Sequence, residues 1–500
     1  MGFNILKENN LQEFAADAKN EIKNIYLNDN RPWVIGYSGG KDSTAVVQLV
    51  FTALSELPRE QVNKKVYVIS SDTLVETPLI ISSIDKTLHR IQEKALELDL
   101  PFETHKVKPD IKSTFWTSII GKGYPSPRQK FRWCTDRMKI NPANRFIKDK
   151  VSKFGEVIMV LGVREAESQT RAEVMRSHTT DGKTLMRHST LPNAYVYAPI
   201  RKFTLDNVWG YLLNDSSPWG DNNHELLGLY QSSNSECPLI VDKEIKESAG
   251  SCGNSRFGCW TCTVVKKDKA LAGFIDNGEE WLKPLLEFRN WLSEIRDVRE
   301  YRQKTRMNGH MYFTSIDVDQ IDKNIYTFIQ EKDLGNYLRK HHIDLSNAED
   351  LNLIIETENG EYKQLGLGPF TLSARKMILK RLLETQKQVK NPYDKHFLLI
   401  QPGELKMIRK YWFEDGEWED NLPIIYREIT GEELDWEYDD RPLFEDDQIT
   451  DLESLCKKEN IDLNLLKKLI SIEKNYSGFK VRRGVIDNFK KALNQEYLHL

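Results

Sequence analysis

The chain has 500 residues, a net charge of −4, and 39% apolar against 29% charged residues. That length predicts about two to four domains, and the near-neutral charge excludes a generally basic nucleic-acid binder, so any DNA contact must come from a local basic patch or a partner. No apolar run reaches membrane-spanning length, Met1-Gly2-Phe3-Asn4 carries no basic-then-apolar leader, and Leu6 stands where a myristoylation signal needs Ser or Thr, so a cytoplasmic protein with no membrane association is expected.

The first apolar run, Trp33 to Tyr37, predicts a buried strand, and Ala45 to Phe51 predicts a helix packed on a sheet. Between them stands Ser38-Gly39-Gly40-Lys41-Asp42-Ser43-Thr44. Two glycines let the backbone turn its N–H groups onto phosphate oxygens, and the helix start adds its own unpaired N–H groups. Lys41 supplies a point charge, and Ser38, Ser43 and Thr44 supply hydroxyls. The spacing rejects a Walker A loop, because only three residues separate Gly36 from Gly40-Lys41 and Asp42 follows the lysine.

Further strands are expected at Lys65 to Ser70, Phe102 to Val107 and Val157 to Gly162, with helices at Pro78 to Leu98 and Asn141 to Lys153. The alternation predicts an α/β fold with a doubly wound parallel sheet, its ligands at the carboxyl ends of the strands. From 214 to 254 the pattern breaks into Ser, Asn, Pro and Gly. After Val264 it reads mostly helical, as in Leu372 to Val389 with Thr371 as N-cap. The expected organisation is therefore a nucleotide domain over 1–230, a cysteine-cluster region over 231–310 and a mostly helical C-terminal region over 311–500. Glu414 to Asp447 is acidic and reads as a solvated loop anchored by Trp412, Trp418 and Trp436, or as a partner surface. Arg299, Arg302 and Arg306 share one face if that stretch is helical, as a solvated stripe or as contacts to DNA phosphates.

Six cysteines are too few for a disulfide scaffold, and four of them, Cys237, Cys252, Cys259 and Cys262, lie close together. Cys259 and Cys262 are spaced C-x-x-C, and four thiolates suit either tetrahedral zinc or an iron–sulfur cluster. Cys134 stands apart, among Arg128, Lys130, Arg132 and Arg137. Four cations around one thiol favour the thiolate and hence a nucleophile or persulfide carrier. A buried structural cysteine is the alternative.

The Ser38–Thr44 loop resembles the S-G-G-x-D-S loop of the ATP pyrophosphatase (PP-loop) superfamily, whose members split ATP between the α and β phosphates. Asp72-Thr73 with Glu76-Thr77, and Gly162-Val163-Arg164 running to Arg171, resemble motifs of its sulfate-reductase-like branch. There Asp72 faces the nucleotide or its Mg2+, or else caps a helix. Arg164 and Arg171 fork onto an anionic substrate, or else pair with Glu165, Glu167 and Glu173. With Gly121 to Pro125, Phe131 to Arg137 and Arg256 to Cys262, the sequence resembles the DNA phosphorothioation sulfurtransferase family DndC, densely over residues 30 to 270. The resemblance implies ATP and Mg2+ as cofactors, a 4Fe–4S cluster (zinc the alternative) on Cys237, Cys252, Cys259 and Cys262, and catalysis by Lys41, Asp42 and Cys134. It also implies sulfur from a cysteine desulfurase, and DndD, DndE and DNA as partners. An adenylyl- or phosphoadenylyl-sulfate reductase shares the loop, but this chain lacks an adjacent Cys-Cys pair and ends Glu496 to Leu500 without a Glu-Cys-Gly segment. A tRNA thiolase, or an ATP-responsive scaffold without catalysis, completes the alternatives.

Overall fold

The computed structural model describes residues 5–167, 184–188, 190–232, 258–308, 310–316, 327–333, 353–436, 446–459, 461–476, 482 and 484–493. They divide into two compact units, one of residues 1–110 and 128–286, the other of residues 111–127 and 287–500.

In the first unit, strands β1 (Trp33–Gly36), β2 (Val66–Ser71), β3 (Phe102–Val107), β4 (Val157–Val160), β5 (Met186–Arg187) and β6 (Ala194–Tyr197) form a sheet of order β3-β2-β1-β4-β6-β5. All pairs are parallel except β5 with β6. Central β1 is apolar without alternation because both faces are covered, and Trp33, Val34 and Ile35 are buried. At the edge, β3 buries only its ends, Phe102 and Val107. Helices α1 (Ile5–Leu27), α2 (Lys41–Ser55), α3 (Pro78–Glu97) and α4 (Asn141–Phe154) belong to this unit. Ile147 of α4 packs into a cluster with Val34, Tyr67, Ile69 and Val157. From β1 the chain adds β2 and β3 on one side and β4 on the other, so the strand order reverses between β1 and β4. Their carboxyl ends are where a doubly wound sheet binds ligands.

The second unit is mostly helical, with the Leu372–Gln388, Pro402–Glu414, Asn421–Thr430, Asp446–Lys458, Leu463–Tyr476 and Val485–Leu493 helices. The Thr371 hydroxyl caps the first of these by accepting from Ala374 N. It also contains a four-stranded sheet absent from the sequence expectation: β7 (Phe313–Ser315), β8 (Thr327–Gln330), β9 (Leu353–Glu356) and β10 (Tyr362–Leu365), in the order β7-β10-β9-β8. The segment 111–127, which follows β3 in sequence, belongs here. Trp116 Nε1 donates to Leu399 O at 2.6 Å, and Trp412 Nε1 donates to Ile120 O at 2.7 Å.

Two further expectations are corrected in this unit. Arg299, Arg302 and Arg306 do not form a helical stripe, because the chain past Ile295 runs through a short 3-10 turn into extended backbone. Arg302 is buried and donates to Gly368 O at 2.7 Å and to Leu367 O at 3.2 Å, Arg299 donates to Gly366 O at 3.1 Å, and Arg306 covers the Tyr312 ring. The acidic stretch is not a solvated loop throughout: Trp412 and Trp418 are buried, and residues 421–430 are helical.

Candidate active site

The glycine loop connects β1 to α2. Gly39 has φ +70°, and a Cβ there would stand 2.6 Å from Ile84 Cγ1, so the turn admits only glycine. The loop's hydroxyls bind one another and the backbone. Ser38 N donates to Ser43 Oγ at 3.2 Å, and Ser43 Oγ and Thr44 Oγ1 donate to Gly40 O at 2.9 and 3.0 Å. The Gly40-to-α2 junction presents the start of a 15-residue helix, with Asp42 in its first turn. Lys41 is buried, 3.4 Å from Asp42 Oδ2, and its ammonium stands 5.2 Å from the centre of the Tyr230 ring. Lys41 N donates to Tyr230 Oη at 3.2 Å. Tyr230 comes from the Asn223–Ser232 helix, which lies in a stretch whose Ser, Asn, Pro and Gly content predicts irregular chain.

The end of β4 closes on this loop. A Cβ at Gly162 would stand 2.9 Å from both the carbonyl carbon and the carbonyl oxygen of Asp42, so glycine is required where two backbones approach. Two residues on, buried Arg164 donates from Nε to Asp42 Oδ1. Lys41, Asp42 and Arg164 therefore form one charge group at the β1/β4 switch point. A cation on each side holds the Asp42 side chain in place.

A second polar group lies at the carboxyl end of β2. Asp72 is buried, its Oδ1 accepts from Leu74 N at 3.0 Å, and its Oδ2 lies 3.5 Å from Lys106 and 3.7 Å from Lys108. It does not cap α3, whose N-cap position is Thr77. The segment carrying Cys259 pairs with 75–77 as a short antiparallel bridge: Trp260 N donates to Val75 O at 3.0 Å, and Thr77 Oγ1 to Gly258 O at 3.0 Å. That pairing sets Cys259 Sγ 3.3 Å from Thr73 Oγ1 and 3.8 Å from Glu76 Oε1. Thr73 Oγ1 donates to the same carboxylate oxygen at 2.9 Å, and Lys139 Nζ stands 3.3 Å from it. Cys262 N donates to Cys259 O at 3.0 Å, which folds the C-x-x-C segment into a turn.

Cys134 joins this group electrostatically. Burial pushes its thiol up from the ordinary value, and a negative charge on Cys262 pushes it further. Its sequence neighbours do not lower it, because Arg128, Lys130 and Arg132 are exposed and Arg137 covers the Trp133 ring. The expectation of a thiolate favoured by four flanking cations is therefore corrected. The Cys259 thiol is also pushed up, by burial and then by the Glu76 charge. Lys139 is shifted upward by Cys259, Glu76 and Cys134. Among the described residues it is a cation that answers these sulfurs, a role that spacing in the sequence does not reveal.

Cys259 and Cys262 fit half of a four-thiolate site for zinc or for an iron–sulfur cluster, since their turn presents both sulfurs from one short segment. Among the described residues no group of three or more metal-ligating side chains is assembled. Cys237, Cys252, Arg171 and Glu173 lie outside the described residues. No helix among the described residues is long and apolar enough to cross a membrane.

An uncharacterized protein of Methanocaldococcus jannaschii is 26% identical over 281 residues, 56% of this chain and 46% of the relative, so the chain spans less than half of that relative's length. A phosphoadenylyl-sulfate reductase of Candida auris is 12% identical, over 43% of this chain and 88% of its own, with a TM-score of 0.26. The U34-tRNA thiolase NcsA of Methanococcus maripaludis, solved with its 4Fe–4S cluster, is 14% identical over 57% of this chain and 80% of its own, with a TM-score of 0.28. At these TM-scores the structural likenesses assign no activity to this chain. Residues 32–265, which carry the six-stranded sheet, the glycine loop, Cys134 and the C-x-x-C turn, match the phosphoadenosine phosphosulfate reductase domain.

Proposed function

We propose that this chain is an ATP-dependent sulfurtransferase that activates a DNA backbone phosphate and replaces one non-bridging oxygen with sulfur. The observation that carries the reading is the gathering of Cys259, Cys262 and Cys134 with Glu76 and Lys139 at the end of β2, the strand paired with the one that feeds the glycine loop. A DNA phosphate oxygen attacks the α-phosphorus of ATP; the new P–O bond forms as the α–β bridge breaks, and pyrophosphate leaves. Loop N–H groups, the start of α2 and Lys41 receive the pyrophosphate. Asp42 and Arg164 hold Lys41's end of the loop in position. Cys134, loaded as a persulfide by a cysteine desulfurase, attacks the adenylated phosphorus through its terminal sulfur, and AMP departs with the oxygen. An external dithiol then cleaves the S–S bond and becomes a disulfide, which leaves sulfur on the DNA and returns Cys134 as a thiol. Mg2+ would neutralise the phosphates, and Cys259 and Cys262 would be among the ligands of a 4Fe–4S cluster that would supply redox chemistry. DndD- and DndE-like proteins fit as partners on the same resemblance.

The test is pyrophosphate release from ATP under anaerobic conditions with DNA and a sulfur donor, with Lys41→Ala or Asp42→Ala as control. Mass analysis of nuclease-digested DNA from cells with and without Cys134 completes it. Absence of release sinks the enzymatic reading. Release without sulfur-containing dinucleotides sinks the DNA substrate. A colourless protein with zinc and no iron overturns the cluster. The reductase-domain match over 32–265 favours a sulfonucleotide reductase as the rival; sulfite formed from an adenylylated sulfate with a thiol reductant would establish it instead.

A further inference from the structure

Residues 128–153 carry nine basic and two acidic side chains in a chain whose net charge is −4. The strip begins with a tight hairpin, in which Arg128 N donates to Phe131 O at 3.2 Å and Phe131 N to Arg128 O at 2.9 Å. Gln129 and Lys130 form its exposed tip. Phe131 is 40% exposed and stands between Lys130 and Arg132, both exposed. After Cys134 the backbone is helical to the end of α4. α4 buries Pro142 and Ile147 and turns Arg145, Lys148 and Lys153 to solvent. Among the described residues, Asp110 lies 4.0 Å from Arg145, Glu76 3.3 Å from Lys139, and Asp149 3.3 Å from Lys150.

We propose that this hairpin and the outer face of α4 hold the phosphate backbone of DNA and lead it to Cys134; the choice of DNA rests on the function proposed above. Concentrating like charge on one strip of a near-neutral chain raises the local potential for a polyanion. Each cation that neutralises a phosphate releases a counterion, which drives binding and makes it salt-dependent. An exposed aromatic ring among cations suits stacking on an unpaired base. A merely solvated face accounts for the lysines and arginines; the Phe131 ring beside them adds the stacking surface that a nucleic acid would use.

The experiment is fluorescence anisotropy of the full-length chain with labelled single-stranded and duplex DNA across a salt series, without ATP or sulfur donor. Two charge-reversal pairs, Lys130→Glu with Arg132→Glu and Arg145→Glu with Lys148→Glu, are each expected to weaken binding about tenfold or more. Each pair is also expected to reduce the slope of log K against log salt by about 2. Phe131→Ala should weaken single-stranded binding about tenfold and duplex binding less. Lys457→Glu with Lys458→Glu, exposed in the second unit, is the control expected to bind like wild type. Circular dichroism and thermal melting identify any variant that fails to fold, and the single-residue Phe131→Ala change then keeps the question open to measurement. Equal affinity and slope in wild type and both basic-strip variants would overturn the proposal, as would affinity for RNA alone. Binding that depends on the strip while DNA gains no sulfur would leave the surface standing and remove the proposed reaction.

Discussion

The two units put buried charge to different use. In the first, Lys41 and Arg164 meet the Asp42 carboxylate, and Asp72 meets Lys106 and Lys108. In the second, Arg302 donates to the carbonyls of Gly368 and Leu367, and Arg375 donates to Gly121 O at 2.6 Å as well as to Asp415. Glu404 accepts from Gln401 N at 2.9 Å. A side-chain partner at a strand end can be exchanged for a ligand; a backbone carbonyl cannot leave. Buried Arg409 also meets a side chain, Asp420, in the second unit, so a carboxylate partner marks a functional charge only where it stands at the carboxyl end of a parallel strand.

That contrast is open to attack, from the largest expected effect downward. Lys41→Ala should lower pyrophosphate release about 10²- to 10³-fold, roughly 3–4 kcal/mol, with a smaller loss of thermal stability than any buried arginine change in the second unit. If calorimetry shows the reverse, the distinction fails. Arg302→Ala should destabilise by about 3 kcal/mol, because several buried carbonyls lose their donor. Its pyrophosphate release, measured well below the melting transition, should match wild type.

Glu404 offers a pH test of the same contrast. Burial raises its carboxyl to about 7 in the folded chain, against 4.5 for the ordinary group. The folded state therefore holds the proton more tightly, and stability from this residue is present below pH 4.5 and is lost as pH rises through about 7. A shift of that size corresponds to about 3 kcal/mol, and Glu404→Gln should flatten the denaturation midpoint over this window. A slope unchanged in the variant would show that another group is responsible. The smallest effect belongs to Thr371→Ala, which removes the cap on Ala374 N and should cost about 1 kcal/mol in chemical denaturation without altering nucleotide chemistry.

Much of the first unit was legible because its signals are local. The apolar runs at 33, 66, 102 and 157 gave β1 to β4 within a residue or so at their starts, and helices α3 and α4 began at Pro78 and Asn141 as their patterns indicate. The glycine loop was legible for the same reason: its turn and its hydroxyls lie within seven residues. The sulfur group was not, because three segments more than fifty residues apart meet through the bridge of 258–260 with 75–77 and the contact of Lys139 with Glu76. Tyr230 left no pattern either, since its contact with Lys41 depends on where a later helix returns. Short β5 and β7 offered too few residues for periodicity, and the arginine stripe failed because helical spacing was assumed past Ile295.

The excursion of residues 111–127 into the second unit sets an order of events during biosynthesis. Phe115, Trp116, Ile119 and Ile120 are buried, and Trp116 and Ile120 bond to Leu399 and Trp412, which the ribosome adds almost three hundred residues later. At about 5–20 residues per second this apolar segment waits roughly 15–60 seconds for its partners. During that interval it is a ready ligand for a chaperone on the nascent chain. It also means that cutting the chain after the first unit would strand four large apolar side chains in water, so expression of a shortened protein would be limited by aggregation before its chemistry could be measured.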